Sequence, residues 1–238
     1  MALSNHLKTF DKWPLEKWHG AGNDFIIVED VEIVPAFVRF ICDRHRGVGA
    51  DGLLVLSASN IADIKMEIFN QDGSKASMCG NGIRCAAAYL GKDYSRIEVS
   101  DNVLECSVEG NSVTVEMGSV QFVGEDLVEC GVVHRIADKE FQDSVNVTAY
   151  DAINGILYVK TTERGVGPTQ ACGTGIVAAC FHFGQEGVFE ARSRGGDSFI
   201  CWIEKGKARL QGPASRVFTG MIEPFTLQSG CHYANRNT

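Results

Sequence analysis

The 238-residue sequence contains no apolar run approaching the roughly 20 residues that a membrane-crossing helix needs. Its opening, Met1-Ala2-Leu3-Ser4-Asn5-His6-Leu7-Lys8, lacks the apolar centre of an export signal, so a cytoplasmic location is expected. Positive charge is scarce. Against 30 Asp and Glu stand only 22 Lys and Arg, a formal net charge of −8, and sequence-independent nucleic-acid binding needs the opposite balance. No CxxC pair occurs, so a structural zinc site of the usual spacing is not expected. Proline-rich and low-complexity linkers are missing too, and composition alone marks no domain boundary.

What is present is an ordinary globular composition, 45% hydrophobic and 22% charged, enough for a sizeable buried core. Nine cysteines are many for such a chain: Cys42, Cys79, Cys85, Cys106, Cys130, Cys172, Cys180, Cys201 and Cys231. A disulfide scaffold does not suit a long, core-rich chain without an export signal, so most of them read as small hydrophobic fillers. Short β-rich runs punctuated by glycine dominate the pattern. Phe25-Ile26-Ile27-Val28, Leu53-Leu54-Val55-Leu56, Ile64 to Phe69 and Ile97 to Val99 read as strands, as does the alternating Ser112 to Met117. Ala36 to Arg44 and Ile83 to Leu90 read as helices.

An internal repeat organises the chain. Cys79-Gly80-Asn81-Gly82-Ile83-Arg84-Cys85-Ala86-Ala87 matches Cys172-Gly173-Thr174-Gly175-Ile176-Val177-Ala178-Ala179-Cys180 at five of nine positions. A polar turn precedes each at the same distance, with Asn70 and Glu163 both nine residues upstream of the cysteine. Two similar halves joined near Gly118 to Val120, 1–118 carrying Cys79 and 119–238 carrying Cys172, are the simplest architecture, with the last strand able to return to the first half. A cysteine followed by Gly-x-Gly and an Ala-rich apolar stretch sits at a helix N-terminus. There, free N–H groups and the helix dipole favour negative charge and are expected to draw a thiol toward neutrality. If the halves face each other, one thiolate can remove a proton while the opposite thiol delivers one, and the helix ends can hold a carboxylate. A redox disulfide between the same two cysteines is the rival.

Several blocks carry a resemblance. His19-Gly20-Ala21-Gly22-Asn23-Asp24-Phe25, Asp43 to Gly52, Phe69 to Ser74, Met78 to Cys85, Glu163 to Gly167 and Thr169 to Gly175 are similar, in that order, to motifs of the diaminopimelate epimerase family. The resemblance implies an α/β (α+β) fold of two pseudo-symmetric halves, each a curved, mostly antiparallel sheet around a central helix. It implies an isomerase with no cofactor and no metal, a small amino-acid substrate, a homodimer, and no nucleic-acid or membrane partner. By the family's pattern Cys79 and Cys172 would be the acid–base pair, converting LL- to meso-diaminopimelate for lysine and peptidoglycan precursors. Gly80, Asn81, Gly173 and Thr174 would present N–H groups to the reacting carboxylate. Asn23, Asn70, Asn146, Glu163 and Arg164 would hold the substrate's charged groups, and His134 would support the cysteines. Cys85, Cys180, His45, His182 and His232 read as structural.

Departures from the pattern are specific. Gly131-Val132-Val133-His134 stands where the family has Gly-Asn-Pro-His, and only 11 residues separate His134 from Asn146, a shorter segment than usual. Pro168 replaces an acidic residue. These changes fall on recognition of the substrate's distal end, so a racemase of another amino acid, such as histidine, and a non-catalytic amino-acid-binding relative are the alternatives.

Overall fold

The computed structural model describes residues 7–10, 12–222 and 225–228, with side-chain burial for 12–222; Cys231 and His232 lie outside the described residues. The first half runs β1 (Leu7–Phe10), β2 (Trp13–Gly20), β3 (Asn23–Glu29), α1 (Pro35–Cys42), β4 (Gly52–Ser57), β5 (Ile64–Asn70), β6 (Lys75–Ala76), α2 (Gly80–Leu90), β7 (Tyr94–Val99), β8 (Asn102–Glu109) and β9 (Ser112–Ser119). The second continues through β10 (Gln121–Phe122), β11 (Leu127–Cys130), β12 (Val132–Ile136), β13 (Asn146–Ile153), β14 (Ile156–Glu163), β15 (Gly167–Pro168), α3 (Gly173–Gly184), β16 (Gly187–Ser193), β17 (Ser198–Glu204) and β18 (Lys207–Pro213). Then come β19 (Ser215–Ile222) and β20 (Phe225–Gln228), the latter paired with β1.

Strand pairing repeats the same grammar twice. In the first half β2–β3 is antiparallel, β3–β4 parallel, β4–β5 antiparallel, β5–β7 parallel, and β7–β8–β9 antiparallel. The second half reproduces it step for step with β11, β12, β13, β14, β16, β17 and β18. Each sheet curls around its own helix, α2 or α3. The halves fuse edge to edge through antiparallel β9 and β18, with a bulge at Ala208/Arg209. They also exchange ends: β10 leaves β9 to pair with β11, and β19 leaves β18 to pair with β2.

Local sequence explains the arrangement. Phe25-Ile26-Ile27-Val28 is apolar without alternation because β3 is covered on both faces. Phe25 and Ile27 pack toward α2, while Ile26 and Val28 pack under α1, whose Phe37, Val38 and Ile41 are fully buried. The small residues Ala86 and Ala87 of α2, and Ala178 and Ala179 of α3, are wholly buried, which lets the sheets wrap closely around both helices. α1 starts at Pro35, suited to a first helical turn, and stops at Cys42, two residues short of Arg44. Asp43 ends it by accepting the N–H groups of His45 and Arg46. Among the described residues no helix is long and apolar enough to cross a membrane.

Candidate active site

Both cysteines of the repeated motif occupy the N-cap positions of their helices, and Cys79 alone of the two makes a side-chain capping bond. Cys79 precedes α2 in extended conformation and its Sγ accepts the Gly82 N–H at 3.4 Å. Cys172 precedes α3 in the same conformation and lies 3.4 Å from the Thr174 hydroxyl. Because the two helices occupy equivalent places in fused halves, their N-termini converge. Met117 lies beside both: a methyl group added at Gly80 or Gly173 would stand 3.8 or 3.9 Å from its Cε. Asn81 bridges the two starts, its Nδ2 donating to Asn23 Oδ1 and to the Ala171 carbonyl, each at 3.1 Å. Close backbone contact permits this. A side chain at Gly20 would come within 2.9 Å of the Asn81 carbonyl, so the hairpin between β2 and β3 needs glycine there.

A cavity of about 670 Å³ opens between the halves. Asn23, Asn70, Asp72, Met78 and Cys79 line it from the first half, and Glu163, Arg164, Pro168, Gln170 and Ala171 from the second. Asn23 lies at the start of β3, where the Cys79 thiol donates to its Oδ1 at 3.8 Å and its Nδ2 donates to Asp51 Oδ2 at 2.8 Å. Asn70 ends β5 and donates to the Ser74 hydroxyl. Glu163 ends β14, and Arg164 follows in the turn with one side-chain bond among the described residues, Nη1 to the Ser144 carbonyl at 3.5 Å. Asn146 is not part of the cavity lining; it opens β13 and its Oδ1 accepts the Arg164 backbone N–H at 2.9 Å.

His134 is completely buried in β12. One ring nitrogen meets Thr174 Oγ1 and the other Thr148 Oγ1, both at 2.9 Å, and Thr148 in turn meets Thr161 at 3.0 Å. A hydroxyl–imidazole chain therefore runs within the second half from Cys172 through Thr174 and His134 to Thr148 and Thr161. Burial lowers the His134 pKa to about 4, so the ring is neutral at physiological pH. Strand register places Phe25, Leu54 and Ile68, all apolar, at the equivalent positions of the first half. The two thiols thus have different backing.

Helix capping was expected to draw these thiols toward neutrality, and burial reverses that. Desolvation raises Cys79, with the Gly82 N–H pulling it down; the Glu163 charge adds to the rise and the Arg84 charge opposes it. Desolvation and then Glu163 raise Cys172, and Thr174 pulls it back only partly. An anion held at these partly buried positions depends on the few donors aimed at it. The other described cysteines, Cys42, Cys85, Cys106, Cys130, Cys180 and Cys201, are buried in the core.

Three supports escaped sequence reading. Asp51 orients Asn23 and, with Asp24, is clamped by Arg44; burial pushes the Asp24 carboxyl up, but Arg44 and Lys17 outweigh it and hold it well below the usual range. Arg84 lies fully buried beneath Asn81. Thr148 and Thr161 complete the chain behind Cys172. Arg84 alone left a signal, as one charge inside the apolar run of α2.

The family model described as diaminopimelate epimerase matches residues 16–123. Diaminopimelate epimerase of Caldanaerobacter subterraneus subsp. tengcongensis is 35% identical over 271 aligned positions, covering 87% of this chain and 98% of that protein. The enzyme of that name from Archaeoglobus fulgidus is 33% identical, with 87% and 95% covered. Among solved structures, an Agrobacterium vitis hydroxyproline epimerase with bound trans-4-hydroxy-L-proline superposes with a TM-score of 0.67 at 15% identity, covering 92% of this chain and 94% of that one. A Bacillus anthracis PhzF-family phenazine biosynthesis protein gives 0.68 at 13%, with 90% and 99% covered. At these identities the two structures speak for the fold.

Proposed function

Since the chain belongs to the diaminopimelate epimerase family, we propose that this isomerase interconverts LL- and meso-diaminopimelate with Cys79 and Cys172 as its acid–base pair. The observation that carries the proposal is that Cys79, which lines the cavity, and Cys172, next in the chain to the lining residue Ala171, each stand at the N-cap of one of two helices whose starts Asn81 joins. One thiolate removes the α-proton from one face, and the opposite thiol gives its proton to the other face. The acceptor ends as thiol and the donor as thiolate, so the pair is poised for the reverse direction. Negative charge passing into the α-carboxylate is met by the N–H groups of Gly80, Asn81, Gly173 and Thr174 at two positive helix ends. His134, neutral, orients the Thr174 hydroxyl beside Cys172. Asn23, Asn70, Glu163 and Arg164 hold the substrate's other charged groups, with Asn146 fixing the Arg164 turn. The family relationship extends the proposal to a homodimer in the cytoplasm, with residues 1–118 and 119–238 as its two units and its product feeding lysine and cell-wall precursors.

A racemase of another amino acid is the second reading. It is favoured by the Asn146 carbonyl being taken up by Arg164 and by Val132 and Val133 occupying the strand start where the family pattern is polar. Incubation in D2O with LL-diaminopimelate, followed by NMR, tests both. Solvent deuterium should enter the α-position as the meso isomer appears, and Cys79→Ala or Cys172→Ala should each abolish this. Exchange confined to L-histidine or another amino acid would establish the racemase; binding without exchange would leave only a binding protein. Activity that persists under strong reductant argues against a disulfide-cycling role.

A further inference from the structure

Arg84 is the largest completely buried side chain among the described residues. Its Nη2 donates to Asn81 Oδ1 at 2.5 Å, its Nε to the Pro213 carbonyl at 3.3 Å, and its guanidinium lies 5.2 Å from the Phe199 ring centre. Nη1 is buried without a hydrogen-bond partner among the described residues. That nitrogen lies against the start of α3, where a methyl group on Gly173 would stand 3.8 Å away. No carboxylate within salt-bridge distance of Arg84 is seen among the described residues. Arginine keeps its charge even where burial opposes it, and a buried unpaired cation is among the costlier features a fold can contain.

No counter-charge among the described residues touches this cation, and two further positive ends, those of α2 and α3, lie beside it. The charged and titratable groups facing the assembly are Cys79 before α2, Cys85 within it, Cys172 before α3, Glu163 from β14 and Asp197 from the turn between β16 and β17. Asn23, backed by Asp51, faces Cys79 from β3. None of the carboxylates neutralises Arg84 by contact.

Resting on the two-thiol reading above, we propose that Arg84 is the positioning residue for both cysteines, fixing Asn81 across the two helix starts and supplying the charge that stabilises the thiolate. Asn81 has one carbonyl and two N–H groups, and all three are used. Arg84 claims the Oδ1, which leaves the Nδ2 to tie the Cys79 side, through Asn23, to the Cys172 side, through Ala171. Reversing that amide would set Nδ2 against the guanidinium and break both ties. The unpaired Nη1 meanwhile leaves the guanidinium charge without a contacting counter-charge, which favours an anion in the cleft, a thiolate when one forms and a carboxylate with substrate bound.

The test is iodoacetamide labelling of the free protein across pH 6–11, with Cys79 and Cys172 quantified by peptide mass spectrometry and thermal melting measured in parallel. Arg84→Met removes both the charge and the bonds. Arg84→Gln can still donate to Asn81 but carries no charge. Both variants should move the labelling limb of Cys79 to higher pH, with at least a ten-fold slower reaction at pH 8. Arg84→Gln should retain more turnover at its own optimum than Arg84→Met. Because an unpaired buried cation has gone, neither should melt far below wild type. Labelling limbs that superimpose on wild type in a folded variant would overturn the proposal and leave Arg84 a space-filling residue. Failure of the two-thiol reading is seen separately, as turnover that survives in Cys79→Ala or Cys172→Ala while the labelling result stands.

Discussion

The carboxamides of Asn23 and Asn81, 58 residues apart in the chain, meet at 3.1 Å, and the contact sets the direction of both. Asn81 donates and Asn23 accepts, so the Asn23 Oδ1 faces the Cys79 thiol while its Nδ2 reaches Asp51 at 2.8 Å. A carboxylate cannot donate, and Asp51 therefore excludes the flipped amide. The expected result of Asp51→Ala is a protein that folds but loses about ten-fold in kcat/KM, roughly the 1–2 kcal/mol of one misdirected buried hydrogen bond. Steady-state kinetics beside a melting curve check it, and unchanged kinetics would remove Asp51 from the site.

Arg164 has one weak side-chain bond, at 3.5 Å to Ser144, and lines the cavity. A guanidinium can grip a distal carboxylate with two parallel bonds, and lysine cannot. Arg164→Lys should lower kcat/KM for diaminopimelate by roughly thirty-fold, about 2 kcal/mol for a charged hydrogen bond. Exchange of the α-hydrogen of alanine, which has no distal carboxylate, should barely change. Equal losses on both substrates would mean that Arg164 acts at the reacting end.

His134 ties stability to pH. Its folded pKa of about 4 lies below the ordinary value of 6.5, because burial disfavours the charged ring. The unfolded chain therefore binds the proton first as pH falls. Its stabilising effect is complete above pH 6.5 and is lost between 6.5 and 4, up to about 3 kcal/mol. Urea midpoints measured from pH 7 to 4 should fall more steeply for wild type than for His134→Asn. Parallel slopes would show that the ring titrates normally.

Gly175 and Gly80 separate packing from motif. A methyl group at Gly175 would lie 2.3 Å from Thr161 Oγ1 and 3.0 Å from Thr148 Oγ1, in the fully packed chain behind Cys172. At Gly80 the nearest such atom is Met117 Cε at 3.8 Å, an ordinary contact. Gly175→Ala should cost about 1–3 kcal/mol of stability by overpacking, and Gly80→Ala much less. Thermal denaturation of the two variants decides it; equal costs would mean that Thr161 moves aside freely.

Much of this was written locally. Alternation gives Ser112 to Met117 as a strand, the unbroken Phe25 to Val28 gives a strand covered on both faces, and Cys-Gly-x-Gly marks both helix starts, because backbone geometry and capping depend on neighbouring residues. The repeat foretold equivalent halves for the same reason: similar local patterns build similar units. Only the tertiary structure decided what the units do to each other. It joined them through β9 and β18, and it made Asn81 the link between Asn23 and Ala171. It buried His134 against two threonines and set Arg84 of α2 against the start of α3 with one guanidinium nitrogen unpaired among the described residues. Whether a thiol at a helix start lies above or below its ordinary pKa is likewise set by how completely two distant segments exclude water from it, and sequence spacing carries no measure of that.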